Sequence, residues 1–252
     1  RHEHVSEGEA RASPSSRTGT SARARIRAVN GHRYLAAHDR IVTLVAPLDD
    51  GLVIPATPGW SLLDLLAHLA AAAHDLADRD VEDWSLDEWT AAQVALRRGW
   101  TRAEVLAEWA EHAPAAARVV DDPAVAGLDE AFARMPIIDA TGHEGDIVEA
   151  IGGRATIDAA DWAIIGPHRE AMLGYLVAEA GLAPLRVRTP EGDDWTLGGD
   201  VPGATVELTR DELWRSLMGR RPRSVVEAYS WTGDADAYLA IWVGGTWSWP
   251  EE

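Results

Sequence analysis

The chain of 252 residues contains no cysteine, which excludes disulfides, thiolate metal sites and a cysteine nucleophile carried by the protein itself. Any thiol chemistry must therefore draw its thiol from outside. Lysine is absent as well: all 23 basic residues are arginine, set against 41 acidic ones. The resulting net charge of -18 repels phosphate backbones and anionic headgroups, so neither nucleic acid nor a membrane is expected as a partner. No apolar run approaches the roughly 20 residues that a membrane span needs, because His and Asp interrupt the Ala/Leu-rich stretches. Residues 1–30 mix Arg, Ser, Gly and Glu without the apolar centre of a secretory signal. They read as a disordered tail on a soluble, cytoplasmic protein.

What is present from Gly31 onward is helical periodicity. Four helix starts carry a capping-box pair, a hydroxyl followed three residues later by a carboxylate: Ser61 with Asp64, Ser85 with Glu88, Thr101 with Glu104, and Thr209 with Glu212. The pattern predicts helices near 32–46, 61–78, 85–96, 101–120, 137–150 and 158–181, the last stopped by Gly181 and Pro184. Beyond Pro184 the runs shorten and partly alternate. Leu185 to Thr189, Asp194 to Leu197, Thr205 to Leu208 and Val225 to Trp231 read as strands, with helices near 210–218 and from Asp234. The expected fold class is α+β: a helical unit over 31–183 and a smaller α+β unit over 184–252.

His68 lies in Ser61-Leu-Leu-Asp-Leu-Leu-Ala-His-Leu-Ala70, a segment apolar enough to face a core, where an imidazole needs a partner. Taken alone it reads as a hydrogen-bonded core histidine, and Asp64 as a cap. Asp139 and His143 stand four residues apart, on one helix face. By itself that spacing reads as an ordinary solvated pair. Together the three residues offer two imidazole nitrogens and one carboxylate, a set suited to zinc or another divalent first-row metal with positions left open. His74, six residues after His68, projects elsewhere, and His2, His4, His32, His112 and His168 lack a motif. Glu144 and Asp146 are expected to point away from the Asp139–His143 face into solvent. Trp60, just before the His68 helix, reads as a hydrophobic staple in preference to a pocket wall.

Three segments together resemble the mycothiol-dependent maleylpyruvate isomerase family of actinobacteria. Thr57-Pro-Gly-Trp-Ser-Leu-Leu-Asp-Leu-Leu-Ala-His-Leu69 looks like its first metal-ligand helix, and Asp139-Ala-Thr-Gly-His-Glu-Gly-Asp-Ile147 like its second. Asp211-Glu-Leu-Trp-Arg-Ser-Leu-Met-Gly-Arg-Arg221, followed by Thr232-Gly-Asp234, resembles the sterol-carrier-like C-terminal domain often fused to it. The resemblance implies a DinB-like four-helix bundle, with His68, Asp139 and His143 as ligands of a divalent metal, expected to be zinc, and mycothiol as the external thiol. Asp139 stands where the family pattern usually has Glu, and Ile241 to Thr246 lacks the basic residue common there. The implied activity is a mycothiol-dependent isomerase or thiol transferase acting on a small-molecule electrophile, with the substrate open. The other readings are a non-catalytic metal- or small-molecule-binding protein and a metal-dependent hydrolase.

Overall fold

In the computed structural model of the chain, the structure describes residues 18–78, 86–122, 124 and 132–243. It is mixed α+β, with nine α-helices and one four-stranded sheet among the described residues. Four helices pack against one another: α1 (Thr18–Val45), α2 (Leu62–Asp78), α4 (Arg102–Asp121) and α5 (Met135–Ala150). The short α3 (Leu86–Leu96) lies against α2. Each long helix turns an apolar stripe inward at three- and four-residue spacing, as with Tyr34, Ala37, Ile41 and Val45 of α1 or Leu62, Leu65, Leu66 and Leu69 of α2. Helix α1 starts well upstream of residue 32, where periodicity first marks it.

The capping pairs show how local chemistry sets the helix starts. Thr101 and Glu104 form a reciprocal box at α4. At α2 the Asp64 carboxylate accepts from the Ser61 amide at 2.9 Å while the Ser61 hydroxyl accepts from the Asp64 amide at 3.2 Å. Thr209 caps α7 (Arg210–Leu217), but Glu212 does not reach back. Its carboxylate instead accepts from Arg221 and from the Tyr229 hydroxyl. The Ser85 box falls outside the described residues.

Helix α6 (Ala159–Glu179) leads into the sheet, whose strands are β1 (Leu185–Arg188), β2 (Asp194–Leu197), β3 (Ala204–Glu207) and β4 (Ser230–Thr232). Their spatial order is β2-β1-β3-β4, antiparallel except for the parallel β1–β3 pair. Alternation places Leu185, Val187, Trp195, Leu197, Ala204 and Val206 in the core. Trp195 stacks on Trp162 of α6, with ring centroids 5.9 Å apart.

The strand expected over Val225 to Trp231 is helical in its first three residues. Residues Arg223–Glu227 form α8, and β4 begins only at Ser230. Pro222, with φ of -62°, starts this helix, Arg223 and Glu227 pair across one turn at 2.6 Å, and Val226 is buried beneath them. A β-branched pair thus follows a helix-starting proline, and tertiary burial overrides its strand preference. Helix α9 (Ala235–Leu239) follows, after Asp234. One apolar cluster runs without a break from Tyr34 in α1 to Trp242 beyond α9. No described helix is long and apolar enough to cross a membrane.

Candidate metal centre

Helices α2 and α5 are neighbours, and their contact brings together the three residues singled out in the sequence. Ligand atoms of His68, Asp139 and His143 all lie within 4.8 Å of one another. The Asp139 carboxylate sits between the rings: Oδ2 is 3.0 Å from His68 Nε2, and Oδ1 is 3.4 Å from His143 Nε2. Both imidazoles are buried, while Asp139 keeps 27% of its side chain exposed, so the cluster has one accessible side.

The far nitrogen of each ring is already engaged. His68 Nδ1 lies 2.8 Å from Gln93 Oε1. The Gln93 amide orientation is set in turn, because its Nε2 donates to Asp75 Oδ2 at 2.7 Å, beside a Trp89 indole donating to the same oxygen. His143 Nδ1 lies 2.9 Å from Asp146 Oδ2. Both partners are acceptors, so each Nδ1 carries the proton and donates. Each Nε2 is then a lone pair facing a carboxylate oxygen unless a proton or a cation stands between them. Two Nε2 protons and one divalent cation carry the same charge, so the residues present fit such an ion without further rearrangement of charge. Two imidazoles and one carboxylate, each imidazole oriented by an acceptor behind it, form a donor set that could hold a metal ion.

Burial opposes charge on Asp139, but the His68 and His143 rings and their hydrogen bonds outweigh it and hold its carboxyl far below the usual range. Burial likewise opposes charge on His143, yet Asp139 and Asp146 push its pKa up to about 9. Asp146 is also held well below the carboxylate range: burial works against it, and the bond to His143 and the Arg220 and Arg215 guanidinium groups prevail.

Asp146 is not solvated, contrary to its expected place. It is fully buried, and besides His143 it accepts from Arg215 Nη2 at 2.7 Å and from Arg220 Nε at 3.0 Å. Glu144 is not free in solvent either, since Arg40 of α1 donates to it at 2.7 and 2.8 Å. The position of His143 on an almost wholly buried α5 turns both carboxylates toward neighbouring helices. Trp60 is a wall of the site, its ring centroid 5.3 Å from that of His68 and 6.3 Å from that of His143. Asp64 is a cap, as expected. His74 is half-buried and sits edge-on to His112, 4.6 Å away between ring centroids. Gln93 had no signal in the sequence; Arg215 and Arg220 lie in the segment 211–221 singled out above, but nothing local ties them to Asp146, whereas the three-residue spacing of His143 and Asp146 was a readable signal.

Comparison with protein-family models, with curated proteins and with solved structures yields no match.

Proposed function

We propose that His68, Asp139 and His143 hold a divalent metal ion, zinc in the first instance, and that the protein activates an external thiol with it. In this reading the chain is a mycothiol-dependent isomerase or thiol transferase of the maleylpyruvate isomerase type, with a DinB-like bundle formed by α1, α2, α4 and α5 and a sterol-carrier-like C-terminal unit. The observation that carries it is the convergence of two Nε2 atoms and one carboxylate within 4.8 Å, with both Nδ1 atoms bonded to acceptors.

A zinc ion with an open position lowers the pKa of a bound thiol from about 8.5, supplying thiolate at neutral pH. The protein's own residues do the rest. Gln93 and Asp146 keep the imidazoles oriented, Asp139 contributes the negative charge, and the Trp60 ring shields one side from water. The absence of cysteine throughout the chain fits a thiol that arrives as a substrate.

The test is elemental analysis of protein purified without chelator, followed by calorimetric titration with mycothiol. Bound metal together with thiol affinity is the expected outcome. Metal without thiol affinity would favour a hydrolase using metal-bound water, and neither would leave a binding protein.

A further inference from the structure

Helix α6 presents an inward stripe of Trp162, Ile165, Arg169, Leu173 and Val177, at spacings of three or four residues. Two residues on this inward side are charged: Asp161, which accepts from Arg33 and Arg40, and Arg169, which is only 4% exposed. The other buried arginines meet carboxylates: Arg97 pairs with Glu108 at 2.5 Å, and Arg215 with Asp146 and Glu149 at 2.7 and 2.6 Å. Arg169 has none among the described residues. Its Nη1 reaches the Met172 thioether at 3.7 Å, and its buried Nε has no partner.

The surroundings make this more unfavourable. Burial and the nearby Arg220 cation pull the Arg169 pKa down to about 10, so it is still charged at neutral pH. The adjacent His168 imidazole is held below its ordinary range by burial and by Arg169 and Arg134. A guanidinium removed from water among like charges is strongly disfavoured unless an anion meets it. In a chain of net charge -18 such an isolated cation is not a by-product of excess basic residues.

We propose that Arg169 is the anchor of a binding site for a carboxylate-bearing ligand on the inner face of α6. The guanidinium fork matches a carboxylate in two parallel hydrogen bonds, and Nε together with an Nη is the edge left without an oxygen acceptor. A single negative charge balances this one unneutralised cation, whereas the protein's overall field disfavours multiply charged anions. The site does not depend on the metal reading, since Arg169 is no part of the His68, Asp139 and His143 cluster.

The probe is acetate. Thermal unfolding of the full chain is followed against sodium acetate, with sodium chloride and sodium phosphate at matched ionic strength as parallel arms. Wild type is expected to gain melting temperature with acetate beyond the chloride and phosphate arms. Arg169→Met is expected to lose that specific gain while melting higher than wild type when no acetate is present, because the unpaired buried charge is gone. If Arg169→Met does not fold, Arg169→Lys retains the charge without the fork and is expected to need roughly tenfold more acetate for the same gain. Equal stabilisation by all three salts, or an acetate response unchanged in the variant that folds, would overturn the proposal.

Discussion

Gln93 illustrates how much of the proposed metal centre lies outside its three donor residues. Its carbonyl oxygen faces His68 Nδ1 at 2.8 Å, and its amide is pinned by Asp75. Replacing it by Leu leaves His68 free to rotate or to change tautomer, with a buried N–H lacking an acceptor. Gln93→Leu is therefore expected to weaken zinc binding about 10- to 100-fold, as losses of such supporting groups do. A competition titration with a chromophoric chelator measures it, and unchanged affinity would mean that His68 is held by packing alone. Trp60 makes the same point from the apolar side. Its place before a capping box suggests a staple, but its ring stands beside both imidazoles.

Between elements, Asp193 is the joint of α6, α7 and the turn joining β1 to β2. Its carboxylate accepts from the Trp162 indole at 3.0 Å, from Arg210 Nε at 3.0 Å and from the Thr189 hydroxyl at 2.6 Å. Burial pushes its pKa up, but Arg210, Thr189 and Trp162 outweigh it, so the folded value lies below the ordinary one. A lowered folded pKa means that the stabilisation is complete above the unfolded value of about 3.9 and is lost as pH falls through the folded value. Asp193→Asn is expected to cost about 2 kcal/mol at neutral pH. Its stability should also fall less steeply than that of wild type as pH is lowered below about 4. Urea titrations across that range check both, and parallel curves would show that Asp193 contributes no charge-dependent stability.

The elements were legible in the sequence where the signal is local. The Ser61–Asp64 and Thr101–Glu104 boxes mark helix starts because the bonds close within one turn. Residues His68, Asp139 and His143 were legible as donors, since their type and spacing carry chemistry. The rest depends on neighbours distant in the chain. Asp146 looks like a surface carboxylate until Arg215 and Arg220, about seventy residues later, fold over it. Val225 and Val226 look like strand until Pro222 and the buried position of Val226 decide otherwise. Arg169 is conspicuous only once its stripe is known to face inward.

For the whole molecule, the continuous apolar cluster joins the packed helices to the sheet, and the Asp146 network ties α5 to α7 through buried charge. A metal ion bound only by the folded protein should therefore stabilise more than the local helices. Zinc at a hundredfold excess over its dissociation constant is expected to add about 2.7 kcal/mol to unfolding, followed by both helical circular dichroism and tryptophan fluorescence, and a chelator should remove the gain. A shift in one signal without the other would show that the site's stability is not shared with the sheet.

The central claim is most directly tested by the metal content of wild type, Asp139→Ala and Asp139→Glu, each purified without chelator and reconstituted with zinc. Asp139 is the single anionic donor in the converging set, and the other two donors are imidazoles. The account predicts one zinc per chain in wild type, retention in Asp139→Glu, and loss of stoichiometric zinc in Asp139→Ala, with all three proteins folded by circular dichroism. Equal zinc content and affinity in wild type and Asp139→Ala would contradict it.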